Sequence, residues 1–197
     1  MKKLIFVFGV LLTFTACTDQ NANTASNEAP TIEGLKASIK EMDDSLKVLM
    51  DEAVKSPEYK MNRVAYHEAI NRNKDFYHNF PEDPYAETAL DKIAALYLQL
   101  NVESESVKWR DTLLTKYPDT KNKIGLLELQ MNYYDFNEYN PEKIKFYANQ
   151  LLAIENLPAE KREQYEFRLK HIDKTFEELI EFQLSDENML VETEEVK

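Results

Sequence analysis

One thiol, three imidazoles and a cluster of aromatic rings are the side chains in this sequence whose types and spacing could do chemistry. Cys17 is the only cysteine. It follows Lys2-Lys3, an apolar run from Leu4 to Phe14, and the pair Thr15-Ala16. The thiolate is a strong nucleophile. The stretch before it has the charged head and short apolar body of a secretion signal, and is too short to span a bilayer. The histidines are His67, His78 and His171. His67-Glu68 lacks the second histidine of a zinc-protease helix, because Asn71 holds that position. His67 and His78 lie eleven residues apart, three turns along one helix, too far to share a metal. Carboxylates such as Glu177 and Glu178 read as a solvated face rather than an acid–base pair. No Gly-rich phosphate loop, nucleophile elbow or calcium loop occurs. The sequence therefore predicts no cofactor, no metal and no catalysis. The rings of Tyr133, Tyr134, Phe136, Tyr139, Phe146 and Tyr147 surround one turn between two helices. Tyr133 and Phe136 fall off the apolar stripe Ile124-Leu127-Met131-Tyr134, which predicts that they are exposed. Tyr133, Phe136 and Tyr139 are the candidate partner-binding residues, with packing between helices as the competing expectation for the cluster.

Phe14-Thr15-Ala16-Cys17 resembles the lipobox of bacterial lipoproteins, with Phe14 where that family most often has Leu. The resemblance implies a diacylglyceryl group on the Cys17 thiol, removal of residues 1–16 as a signal peptide, and acylation of the new amino terminus by a fatty acid such as palmitate. Several acyl chains give lasting membrane attachment where one is marginal. Thr18, rather than the Asp that retains such proteins in the inner membrane, implies the outer membrane. Only Asp19 and Glu28 are acidic in the stretch that follows, which favours the periplasmic face. Residues 17–30 are small, polar and aperiodic, and read as a flexible tether.

Removing Lys2 and Lys3 from the 24 basic residues leaves 22 against 36 acidic ones, a net charge of −14. Such a surface repels nucleic acid and anionic headgroups, so no nucleic-acid partner is expected and attachment to a membrane rests on the lipid. Beyond residue 16 only Gly34 and Gly125 remain, and alternating β-branched runs are missing. Leu, Glu, Lys, Ala, Gln and Met dominate, so the predicted fold is all-α.

The first predicted helix, 31–55, carries Ile32, Leu35, Ile39, Met42, Leu46 and Leu49 at heptad spacing. Two readings of this seam stay open: it packs on the chain's own next helix, or it pairs two chains in self-association. Seven further helices follow over residues 56–183, the second from about Tyr59 with Val64 and Ile70 on its apolar face, and an acidic tail covers 184–197. Asp83-Pro84 and Asn140-Pro141 are helix-start signals. Phe80-Pro81, Tyr117-Pro118 and Leu157-Pro158 break the chain at spacings of 37 and 40 residues, each interval holding two helices.

At this spacing the chain resembles the tetratricopeptide-repeat family. Leu90, Ile93, Ala94 and Tyr97 fall on the core positions of that family's first helix, and Ser106 and Leu113 on the small and apolar positions of its second. Ile144, Ala148 and Leu151 occupy the corresponding places in the next unit. Ile144 replaces a small residue, and Arg110 stands where an aromatic is usual, with Trp109 beside it. Asp111 to Thr120 is similar to the second-helix ending of tetratricopeptide-type bacterial lipoproteins. The resemblance implies a TPR-like α-solenoid of antiparallel helix pairs, preceded by the long amphipathic helix. It also implies protein binding on a concave face without catalysis. Three roles stay open: a lipid-anchored envelope scaffold that binds a peptide or protein, an accessory subunit of an outer-membrane assembly or secretion complex, and a self-associating structural lipoprotein.

Overall fold

The computed structural model describes residues 29–56, 58 and 60–195, with side chains through residue 185. Cys17, the signal segment and nearly all of the tether lie outside the described residues. Among those described, every regular element is a helix: α1 (Ile32–Lys55), α2 (Arg63–Asn79), α3 (Tyr85–Gln99), α4 (Glu103–Lys116), α5 (Lys123–Asn132), a π turn (Tyr133–Asn137), α6 (Pro141–Leu152), α7 (Ala159–Lys170) and α8 (Phe176–Glu195). None of these helices is long and apolar enough to cross a membrane.

The starts follow local side-chain chemistry. Thr31 Oγ1 accepts from the Gly34 amide at 3.1 Å, Asn62 Oδ1 from Ala65 at 3.1 Å and Asn140 Oδ1 from Lys143 at 3.1 Å, each satisfying a first-turn N–H. Asp83 Oδ1 accepts from the Tyr85 amide at 2.8 Å. Thr175 and Glu178 form a reciprocal capping box: Thr175 Oγ1 accepts from the Glu178 amide, and Glu178 Oε2 from the Thr175 amide. α3 ends with Asn101 in the left-handed region at φ 57°. The Asn101 amide donates to Leu98 O and the Val102 amide to Tyr97 O, so asparagine fills the place glycine usually takes in this terminating motif.

Extensive helix–helix contacts join neighbours in the chain. Ile39 of α1 clusters with Phe76 of α2, while Met42 and Leu46 cluster with Tyr66, Ala69 and Ile70. That order makes α1 and α2 antiparallel. Leu90 with Leu113, and Ala94 with Ser106, set the same relation between α3 and α4. Leu90, Leu113 and Leu126 connect α3, α4 and α5, and a second core of Leu127, Ile144, Tyr147, Leu151 and Tyr165 holds α5, α6 and α7. Each large apolar side chain so buried contributes about 1.5–3 kcal/mol.

The heptad seam is therefore covered within the chain: Ile39, Met42 and Leu46 are buried on α2 and α3, and Ile32, Leu35 and Leu49 pack beside them. Other differences from the sequence reading are local. α2 starts at Arg63 rather than near Tyr59, and Val64, placed on its apolar face, is 79% exposed, on the opposite side of the helix from Tyr66, where the buried register begins. α5 gives way to a π turn instead of continuing through Tyr134. α8 runs past residue 184 to Glu195.

Candidate functional site

The buried face of α4 carries Ser106, Val107, Arg110 and Leu113, and that of α5 carries Leu126, Leu127, Gln130 and Met131. Helical spacing thus places three polar side chains, Ser106, Arg110 and Gln130, inside an otherwise apolar interface. They satisfy one another. The Ser106 hydroxyl donates to Ala94 O on α3 at 2.7 Å. Arg110 donates from Nη1 to Ser106 Oγ at 2.8 Å and from Nε to Gln130 Oε1 at 2.7 Å. Gln130 Nε2 donates to Val107 O at 3.1 Å and to Asp111 Oδ1 at 2.6 Å. The Tyr147 hydroxyl of α6 donates to the same Asp111 oxygen at 2.5 Å. One network therefore ties α3, α4, α5 and α6 together. Burial pulls the Arg110 pKa down, though an arginine stays cationic at any physiological pH. Burial, and then the bond to Asp111, push the Tyr147 phenol up, so it stays protonated as a donor. Ser106→Ala leaves a buried carbonyl and a buried guanidinium N–H each short of a partner. It is expected to lower stability by about 1–3 kcal/mol in a denaturant titration.

Arg110 also lines a small cleft of about 110 Å³ between the end of α3, α4, α5 and the π turn. Leu98, Leu129, Tyr133 and Phe136 give it apolar walls, and Glu103, Asn132 and Asn137 give it polar ones. The wider π turn, closed by the Glu138 amide on Tyr133 O at 3.1 Å, places both rings over the cleft. The turn is held from beneath. Arg168 of α7 donates from Nε to Asp135 Oδ2 and from Nη2 to Asp135 Oδ1, both at 2.8 Å, in a buried two-pronged pair.

Of the three aromatic residues singled out in the sequence, the structure brings Tyr133 and Phe136 to this cleft. Phe136 is 51% exposed and meets Phe176 edge-on at 4.4 Å. Tyr133 is half-buried, and its hydroxyl donates to Glu138 Oε2 at 3.2 Å. Tyr139, 38% exposed, turns toward the α7–α8 connection, where its hydroxyl donates to Ile172 O at 2.6 Å. Tyr134 stacks on Tyr147 in the core, while Phe146 is exposed. Arg110 and Gln130 escaped notice as site residues. The available signal was a long polar side chain repeating at buried helical positions, with Arg110 four residues after Ser106 and Gln130 three after Leu127.

His67 and His78 are exposed on α2, and His171 lies between the Phe167 and Phe182 rings at 4.7 and 5.0 Å. Among the described residues no group of three His, Cys, Asp or Glu side chains is placed to hold a metal. Glu178 is occupied in capping α8. Glu128 receives hydrogen bonds from Lys161 and the Tyr165 hydroxyl of α7. Burial pushes the Glu128 carboxyl up, but those two bonds outweigh it and hold its pKa below the ordinary 4.5. A carboxyl depressed in the folded state contributes stability that is complete above its unfolded pKa and is lost as pH falls through the folded one. Glu128→Gln is therefore expected to reduce stability at neutral pH. It should also flatten the loss between about pH 5 and 3, read from denaturant titrations at stepped pH.

No family model, curated protein or solved structure matches the chain.

Proposed function

We propose that the protein is a lipid-anchored scaffold of the bacterial cell envelope that binds a protein or peptide partner and performs no catalysis. Its helices form a TPR-like solenoid. The acylated Cys17 and the tether to residue 30 hold it at the outer membrane, facing the periplasm. The observation that carries the binding role is the cleft under the π turn, where Tyr133 and the exposed Phe136 flank a buried guanidinium. Aromatic and arginine side chains at the centre of a concave surface are the residues that dominate protein recognition. Packing of α1 through α7 each on its chain neighbours supports the solenoid, since repeat proteins are built from nearest-neighbour interfaces. Self-association through residues 31–55 would have to use another face of α1, where Val48, Met50 and Val54 are exposed.

Metabolic labelling with an alkyne fatty acid tests the anchor. Wild-type protein should take up the label and sediment with membranes, and Cys17→Ser should do neither. An unlabelled wild-type protein would overturn the anchoring. Crosslinking in intact cells, followed by purification and mass spectrometry, tests the partner. One or two stoichiometric envelope proteins support the scaffold, whereas recovery of this chain alone would replace it with the self-associating lipoprotein.

A further inference from the structure

The two arginines buried among the described residues are treated differently. Arg168, 5% exposed, has the Asp135 carboxylate across it at 2.8 Å on two oxygens. Arg110, 3% exposed, has no carboxylate within ion-pair distance among the described residues. Its hydrogen bonds go to a neutral amide oxygen and a neutral hydroxyl, and its Nη2 makes none among the described residues. Glu103 and Asp111 act on it only from beyond ion-pair distance, so a carboxylate placed directly against it would form a stronger, charge-assisted bond. Among the described residues Arg110 is also the one cation lining the cleft, so a group entering there reaches it.

We propose that the cleft receives the acidic side chain of a glutamate or aspartate on a partner polypeptide, its carboxylate against Arg110 and its methylenes against Leu98, Leu129 and Phe136. This rests on the protein-binding reading above. The volume of about 110 Å³ suits one side chain. It is well below the several hundred Å³ of sites that enclose cofactors or drug-sized ligands. A slim acidic side chain reaches the guanidinium while the partner's main chain stays outside, over the exposed Phe136 ring. The Asn132 and Asn137 amides at the rim offer further donors, Asn137 Nδ2 already donating to Glu103 Oε2 at 2.6 Å. Among the described residues Glu103 brings the only carboxylate to the lining, and it repels an incoming one. The chain without residues 1–16, at net charge −14, repels acidic segments as well. The partner segment therefore carries a single acidic residue in neutral or basic surroundings.

The test is a titration of the full-length chain in detergent, followed by nitrogen-15 NMR of the Arg110 Nε and the Asn132 and Asn137 side-chain amides. The probes are N-acetylglutamate N-methylamide, its uncharged N-acetylglutamine counterpart, and N-acetyl-leucine as a chain-terminus mimic. The glutamate probe should bind saturably and move the Arg110 resonance, with the glutamine probe about tenfold weaker. Glu103→Gln should tighten the glutamate probe about threefold by removing the competing charge. Phe136→Ser, a change at a half-exposed ring, should weaken it without unfolding the chain. Equal binding of the charged and uncharged probes, a still Arg110 resonance, or tighter binding of N-acetyl-leucine would each overturn the proposal. If the titration is blank while a photocrosslinker at Phe136 still captures a partner, the acidic-side-chain inference falls and the protein-binding reading stands.

Discussion

Asp135→Ala is expected to cost about 3–5 kcal/mol, the cost of removing one partner from a buried ion pair. The mechanism is specific. Arg168 makes two bonds to Asp135, and its remaining bonds go to His171 O at 2.7 Å and Lys174 O at 3.0 Å. Both side chains of the pair are only 5–6% exposed. Removing the carboxylate strands a cation that cannot reach water without opening the α7–α8 connection. The loss should appear as a lower urea midpoint by circular dichroism. It should also appear as faster amide exchange over 133–139 and 171–176, because the pair fastens these two segments to each other. The double variant Asp135→Leu with Arg168→Met should recover most of the loss, since it leaves no charge behind. A midpoint unchanged by Asp135→Ala would mean that the π turn is held by something other than this pair. The effect reaches the site, because the π turn carries Tyr133 and Phe136.

Leu46→Asp is the second large expectation, a loss of about 3 kcal/mol or more from combining a lost core side chain with a buried charge. Leu46 is 7% exposed and clusters with Tyr66, Ala69, Ile70 and Ile93. Val48→Asp, two residues on and 56% exposed, is expected to change stability by no more than about 0.5 kcal/mol. The pair of variants separates the two readings of the heptad seam. A seam used within the chain loses stability at unchanged mass when Leu46 is charged. A seam used between chains halves the mass and keeps its helices. Analytical ultracentrifugation beside a urea titration reads both.

Much of the helical order is written in short local signals. Asn140-Pro141 and Asp83-Pro84 mark helix starts because a side-chain oxygen before a proline satisfies a first-turn N–H, and both do so here. Tyr117-Pro118 ends α4 where it stood in the sequence. Ser106, expected at a small position, is fully buried and bonded across to α3. What the sequence hid depends on distant partners. The π turn is tied to α7 by the Asp135–Arg168 pair, whose members lie 33 residues apart. Arg110 showed only as an arginine in an aromatic's place, because its role is set by Gln130 from another helix and by a cleft that no local spacing encodes. Val64 was misplaced because an apolar residue near a helix start fits the periodic pattern whether or not a neighbour covers it.

The central claim is that this protein works by holding a partner at the cleft beneath the π turn. Its most direct measurement is photocrosslinking in intact cells with benzoylphenylalanine at Phe136, and at the more exposed Val64 as a control on α2. The account predicts one or two defined adducts at Phe136 that are missing at Val64. No adduct at Phe136, or the same adducts at both positions, would contradict it.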